Sequence, residues 1–161
     1  MTEELTALKE KILSGAYSEA LDLIDELEEM SRQAILRNID SYLVRLLIHL
    51  LKAQVENRMT GSWQASISDS IRQIQKLNLM GKSAYYIKQG EWQPYLEEAL
   101  AAAVAPASIE IFEGKYKPLE LEPLINSVLV MEKAYRLLSL IYLHNPKSLP
   151  RAVIELVDLG L

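Results

Sequence analysis

The stretch AILRNIDSYLVRLLIHLLKAQVENR, residues 34–58, decides the fold. Its apolar residues recur every three or four positions, and this spacing predicts an α-helix. They form two adjacent stripes, one of Ile35, Ile39, Tyr42, Leu43, Leu46 and Leu50 and the other of Val44, Ile48, Leu51 and Val55. A helix that is apolar around most of its circumference is buried by neighbours on several sides. We therefore expect residues 34–58 to form the central helix of the fold.

Shorter helical segments are predicted on both sides of this central helix. Two precede it, at about 2–13 and 18–31, and the sequence leaves open whether the second continues into residues 34–58. Four follow it, at about 63–78, 95–112, 123–144 and 148–159, with a kink or break at Pro106. No strict alternation of apolar and polar residues indicates a strand. The sequence predicts an all-α antiparallel bundle of five to six helices, without a sheet, in a single domain over residues 1–161.

The composition restricts the chemistry and the location. Half of the 161 residues are hydrophobic, and the absence of cysteine excludes disulfides, thiol catalysis and thiolate metal sites. Residues 1–11 mix acidic, polar and apolar side chains, unlike a secretory signal. The longest apolar region, residues 43–51, is broken by Arg45 and His49 and is far shorter than the roughly 20 residues of a membrane span. We therefore expect a soluble cytoplasmic protein with no cofactor and no membrane partner.

Charge is distributed unevenly along the chain. The net charge of −5 divides into −6 over residues 1–40, +5 over residues 41–88 and −4 over residues 89–161. The overall balance argues against nucleic-acid binding. The basic residues between 45 and 88 nevertheless offer phosphate contacts, with Trp63, Tyr85 and Tyr86 available to stack on bases. The competing interpretation is that the two acidic flanks neutralise this basic region in the folded protein.

One polar row interrupts the central helix, and His49 lies at its centre. Arg45 and Lys52 lie about one turn away, and both cations oppose protonation of His49. Paired with Glu26 or Glu29 of the preceding helix, His49 would bind a metal or a small ligand. The simpler interpretation is a structural polar seam. We expect at least one ion pair between an acidic group (Asp22, Asp25, Glu26 or Glu29) and a basic one (Arg37, Arg45, His49 or Lys52).

Six short motifs stand out along the chain: LEEMS at 27–31, LLIHLLKAQ at 46–54, Ser62-Trp63, Ser66-Ile67, IRQI at 71–74 and PYLEEAL at 94–100. Together they resemble a bacterial family called domain of unknown function twenty-nine, which is abundant in cyanobacteria. Departures are Ala53, where the family often has an aromatic residue, and Pro106, which interrupts a plain helix. The resemblance covers residues 18–104 and implies an all-helical bacterial cytosolic protein, without an established activity. It singles out His49, Lys52, Ser62 and Trp63, and no role is known for any of them.

The resemblance also bears on domain organisation and on function. Because residues 116–161 differ from the family pattern, we expect divergent C-terminal helices that pack on a family-like core at 18–104.

Neither histidine has a recognisable serine partner, and the six glycines are too scattered for a phosphate-binding loop. We predict no catalytic residue and no metal site. The predicted function is a non-enzymatic protein-interaction or self-association module. The first alternative is a small-ligand or metal-binding protein or enzyme that uses His49 with a carboxylate, and the second is nucleic-acid binding through residues 45–88.

Overall fold

Most of the chain is α-helical, as predicted. A computed structural model describes residues 2–161, and seven α-helices and two short strands are found in that range. The helices are α1 (Glu3–Leu13), α2 (Tyr17–Glu56), α3 (Gly61–Asn78), α4 (Gln93–Glu110), α5 (Pro118–Leu121), α6 (Ser127–Leu143) and α7 (Leu149–Asp158). The strands are β1 (Leu79–Met80) and β2 (Ala84–Tyr85). The chain divides into two compact units, residues 1–37 and 38–161. A single domain over residues 1–161 stays a prediction.

Helix α2 joins the two segments predicted at 18–31 and 34–58 into one helix of 40 residues. It contains no glycine or proline, so nothing in the local sequence interrupts its hydrogen bonds. It ends where Asn57 adopts a left-handed conformation, with φ of 52°. Thr60 then begins α3, since its side-chain oxygen accepts a hydrogen bond from the backbone N–H of Trp63 at 3.1 Å. The cap of this helix is therefore Thr60.

The prediction of no sheet was wrong, because β1 and β2 pair in antiparallel register, Leu79 with Tyr85 and Met80 with Ala84. Gly81, with φ of 75°, lies in the connecting turn. The side-chain amide of Asn78 extends the hairpin by exchanging two hydrogen bonds of 2.8 Å with the backbone of Ile87. Strands of two residues are too short to show an alternating pattern in the sequence.

The helix count of five to six was also too low. Pro118 begins the four-residue helix α5, where its missing N–H costs no hydrogen bond. The helix predicted from Pro123 begins at Ser127 instead, because Asn126 caps α6 by accepting a hydrogen bond from the backbone of Leu129 at 3.2 Å. Helix α4 continues through Pro106 to Glu110 and is not broken there.

The core of residues 38–161 is built from long helices with buried apolar faces. The second half of α2 contributes Ile39, Leu43, Leu46, Leu47, Leu50 and Leu51. Helix α3 packs against α6 and α7, and α6 packs against α7. These faces contribute Ile67, Ile71 and Ile74 of α3, Leu137 and Leu138 of α6, and Val153 and Val157 of α7. Among the described residues, no helix is both long and apolar enough to cross a membrane.

A buried polar network fixes the β-hairpin on this core. The hydroxyl of Tyr142 donates to the carbonyl oxygen of Ile87 at 2.6 Å and accepts from Nε1 of Trp92 at 2.8 Å. Burial raises the pKa of Tyr142 to about 12, so the hydroxyl keeps its proton at neutral pH. Buried polar groups are stable only when they are paired, and this network pairs them.

Candidate functional site

The polar row of α2 faces α3 and α4 through two ion pairs. Arg45 donates from Nε to the hydroxyl of Ser66 at 3.0 Å and forms an ion pair of 2.9 Å with Asp69. Lys52 pairs with Glu110 at 3.3 Å, and the side chain of Lys52 is only 8% exposed. The row is therefore a polar seam, but its acidic partners come from α3 and α4.

The predicted acidic partners of this seam were wrong for Arg45 and Lys52. Arg45 and Lys52 pair with Asp69 and Glu110 instead, and Glu26 and Glu29 belong to the same continuous helix as the two basic residues. Glu26 is exposed, and Glu29 accepts a hydrogen bond from Gln33 at 2.8 Å. Sequence reasoning missed Asp69 and Glu110, since neither lies within helical spacing of its partner.

Trp63 is the centre of a cluster that includes two residues singled out by the resemblance. The ammonium of Lys52 and the guanidinium of Arg58 each lie 4.7 Å from the centre of the buried indole ring. Glu56 forms an ion pair of 3.0 Å with Arg58, and the side chain of Glu56 is only 7% exposed. Ser62, by contrast, is exposed and forms no part of the cluster. Two cations therefore stack on one aromatic ring and are balanced by buried or partly buried carboxylates.

His49 borders this cluster as a neutral side chain. Burial lowers its pKa, and the charges of Lys52 and Arg45 lower it further, while Glu110 opposes them. Its Nδ1 atom is buried and has no hydrogen-bond partner among residues 2–161. Within the same residues, no group of three or more His, Cys, Asp or Glu side chains is placed to bind a metal ion. The carboxylate whose charge acts on the pKa of His49 is thus Glu110. The sequence suggested Glu26 or Glu29 for this role.

A loop of unusual backbone conformation lies beside the cluster. Phe112 and Glu113 have φ of 47° and 57°, and Gly114 has φ of 83°. Left-handed backbone is unfavourable for residues with side chains as large as those of Phe112 and Glu113, so contacts with the surrounding residues must hold the loop in this conformation. One such contact is the 3.4 Å hydrogen bond from the backbone N–H of Phe112 to Glu56. The loop and the cluster together line a cleft of about 540 Å³.

The basic region between residues 45 and 88 is partly neutralised within residues 38–161. Arg45, Lys52 and Arg58 each form an ion pair with a carboxylate, and Trp63 is buried between two of them. These groups are therefore committed to internal contacts. Stacking of bases on Trp63, which the nucleic-acid alternative requires, gains no support from this arrangement.

The N-terminal unit contrasts with the seam because it buries almost nothing. Among residues 2–37, Ala20 alone is buried. Six large apolar side chains are between 45% and 77% exposed, namely Leu5, Ile12, Leu13, Tyr17, Leu21 and Met30. Helix α1 has no buried residue, although Thr2 caps it and Gly15, with φ of 79°, turns the chain into α2. These apolar side chains are therefore exposed in the single chain and have no core of their own.

The same unit is strongly acidic. Residues 1–37 contain nine acidic and four basic residues, a net charge of −5. Lys11 and Glu19 form an ion pair of 2.7 Å between α1 and α2, which lowers the pKa of Glu19. Exposed ion pairs contribute little to stability, so this contact does not replace the missing apolar core.

These features define an α-helical protein with a well-packed C-terminal unit and an acidic N-terminal unit whose apolar side chains are exposed. The chain belongs to the family described as domain of unknown function DUF29, whose model matches residues 1–126. This confirms the resemblance found from the sequence, and the match extends beyond the predicted range of 18–104 on both sides. Helices α6 and α7 follow the matched region. Comparison with curated proteins and with solved structures gives no match.

Proposed function

We propose that this protein is a non-enzymatic self-association module whose N-terminal unit pairs with the same unit of a second copy. The observation that carries the proposal is the exposed apolar surface of residues 2–37, in which Ala20 alone is buried. We place the module in the bacterial cytoplasm, because a chain without cysteine suits a reducing compartment.

The first argument for pairing is energetic. Full burial of one large aliphatic or aromatic side chain contributes roughly 1.5–3 kcal/mol. Leu13, Tyr17 and Leu21 are exposed in the two-helix unit, so they make no such contribution in the single chain. Short helices are marginal in water without tertiary packing, and a chain segment of this size buries too little surface to be stable alone. Pairing with another helical unit supplies the missing core.

The second argument concerns the identity of the partner. Two copies of a two-helix unit that pair through the same surface form a four-helix arrangement with two-fold symmetry. Acidic residues concentrate at 19–29, whereas Arg32 follows them along α2. In an antiparallel pair, Arg32 of one copy approaches the acidic start of α2 in the other. The net charge of −5 on each unit opposes pairing over longer distances.

Sedimentation equilibrium tests the proposal. We expect a reversible dimer for the natural chain and a monomer for Leu21→Glu, which places a charge on the exposed apolar surface. The control is Leu119→Glu, because Leu119 is also an exposed leucine (78% against 62% for Leu21) but lies in the C-terminal unit. This control should leave the dimer intact. A natural chain that is monomeric at all concentrations contradicts the proposal.

The salt dependence identifies which surfaces pair. Two acidic units repel each other, so the dimer should tighten when sodium chloride rises from about 50 to about 500 mM. Weakening over the same range would mean that the acidic unit binds a basic surface, for example residues 41–88 of the second copy. That result would overturn pairing between the two N-terminal units.

A second candidate function is small-ligand binding in the cleft beside Trp63. The left-handed backbone of Phe112 and Glu113, which both line the cleft, favours it. The cleft contains cations (Lys52, Arg58) and carboxylates (Glu56, Glu110, Glu113), which suits a zwitterion such as a free amino acid. Melting temperatures measured with each common amino acid test this idea. A shift in the natural chain that is lost in Lys52→Met supports it, and no shift with any amino acid contradicts it.

A further inference from the structure

A separate surface lies in the C-terminal unit, between α4 and α6. It is a groove of about 770 Å³ whose floor is apolar. The floor is lined by Leu100, Ala101 and Val104 of α4, by Val128 and Met131 of α6, and by Ile125. Val128 is 68% exposed, so the groove is an open trough and not an enclosed pocket.

The dimensions of the trough suit a short helix. On α4 the lining residues run from Gln93 to Val104 along one face of the helix, and on α6 they run from Ser127 to Arg136. Eleven residues of α-helix advance about 17 Å, which is the length of three helical turns. Pockets for small molecules bury most of the ligand surface, whereas an open trough with an apolar floor accepts the apolar face of a helix.

The charges along the rim are acidic and unpaired. Glu97, Glu122 and Glu132 line the trough, and none of them forms an ion pair within residues 2–161. Arg136 is the one basic residue of the lining, and its Nη1 atom donates to the carbonyl oxygen of Leu161 at 2.9 Å. The lining therefore presents three carboxylates without an ion pair against one arginine, so its charge is predominantly negative.

We propose that this trough binds an amphipathic α-helix of another protein, with an apolar stripe flanked by Lys or Arg residues. The apolar floor receives the stripe, and the three carboxylates receive the basic flanks. The proposal is independent of self-association.

Fluorescence anisotropy with two labelled peptides tests this proposal. The first probe is a 14-residue helical peptide with leucines at positions i, i+3, i+4 and i+7 and lysines elsewhere on its flanks. The second has the same leucines and glutamates in place of the lysines. We expect the lysine peptide to bind and the glutamate peptide to bind at least tenfold more weakly. Binding of both peptides with equal affinity, or of neither, overturns the proposal.

Variants of the full chain then locate the binding. The double variant Glu97→Lys and Glu132→Lys should lower the affinity for the lysine peptide at least tenfold, and Val128→Asp should do the same by placing a charge on the floor. All three positions are exposed, so these changes should leave the fold intact. The matched control is Asp22→Lys with Asp25→Lys, which makes the same charge change in the N-terminal unit. Binding that falls in the control and persists in the groove variants contradicts the proposal.

Discussion

Helix α2 passes through two very different environments along its 40 residues. From Ile39 to Leu51 it supplies six fully or almost fully buried side chains to the core of the C-terminal unit. From Tyr17 to Met30 half of its residues are apolar, yet Ala20 alone is buried. The sequence pattern is helical in both halves, but only the second half has a buried apolar face. The comparison teaches that apolar periodicity fixes a helix, whereas the presence of a packing partner decides whether its face is core or interface.

The largest effect is expected when the same substitution, leucine to alanine, is compared between the two halves of α2. Leu47→Ala leaves a cavity in the core and should lower the free energy of unfolding by about 2–5 kcal/mol. Leu21 is exposed in the single chain. At protein concentrations too low for association, Leu21→Ala should therefore lower the free energy of unfolding by less than about 0.5 kcal/mol. Urea unfolding followed by tryptophan fluorescence measures both, because Trp63 and Trp92 lie in the C-terminal unit. Equal losses in the two variants would contradict the distinction.

The next effect concerns the seam that packs the second half of α2. Lys52→Ala removes the side chain that covers Trp63 and should lower the free energy of unfolding by about 1–3 kcal/mol. Lys52→Met keeps the length and the contact with Trp63, so it should cost less than about 1 kcal/mol. Glu110 remains half exposed and hydrated in both variants. The same urea titration compares them, and a loss for methionine as large as that for alanine would show that the charge, and not packing, stabilises this contact.

A smaller effect is expected from pH at His49. Burial lowers the pKa of His49, so the unfolded chain binds a proton there more readily than the folded protein. The contribution of neutral His49 to the free energy of unfolding should therefore be complete above the unfolded pKa of about 6.5, and it should decrease as the pH falls below that value. His49→Gln should flatten this part of the pH profile of the melting temperature. A pH profile that is unchanged in His49→Gln would refute the assignment.

The smallest effect is expected at Asp40, near the start of the C-terminal unit. Burial and the neighbouring charge of Glu98 raise the pKa of Asp40, so its ionised form costs stability at neutral pH. This cost disappears as the pH falls through the raised pKa, because the folded protein then holds the proton. Asp40→Asn should raise the free energy of unfolding at pH 7 by at most about 0.5 kcal/mol, since the site is partly hydrated. A decrease measured by urea titration would contradict this sign.

The sequence alone was sufficient for the helical core and insufficient for its polar contacts. The stripe that includes Ile39, Leu43 and Leu46 predicted burial, and all three side chains are fully buried. The partners of the basic row were not predictable, because Glu110 lies 58 residues from Lys52 and only the packing of α4 brings it near. The β-hairpin was missed because strands of two residues carry no periodicity. The exposure of the apolar residues at 17–30 could not be predicted, because helical spacing does not show which face has a packing partner.

Hydrogen exchange at two protein concentrations tests the central claim most directly. We compare amide protection of residues 3–36 and of residues 38–161 in dilute and in concentrated protein, with Leu21→Glu as the control. Pairing through the N-terminal unit predicts that protection of residues 3–36 rises with concentration in the natural chain and does not rise in the variant. Protection of the core should be equal at both concentrations. Protection of residues 3–36 that is independent of concentration would contradict self-association through this unit.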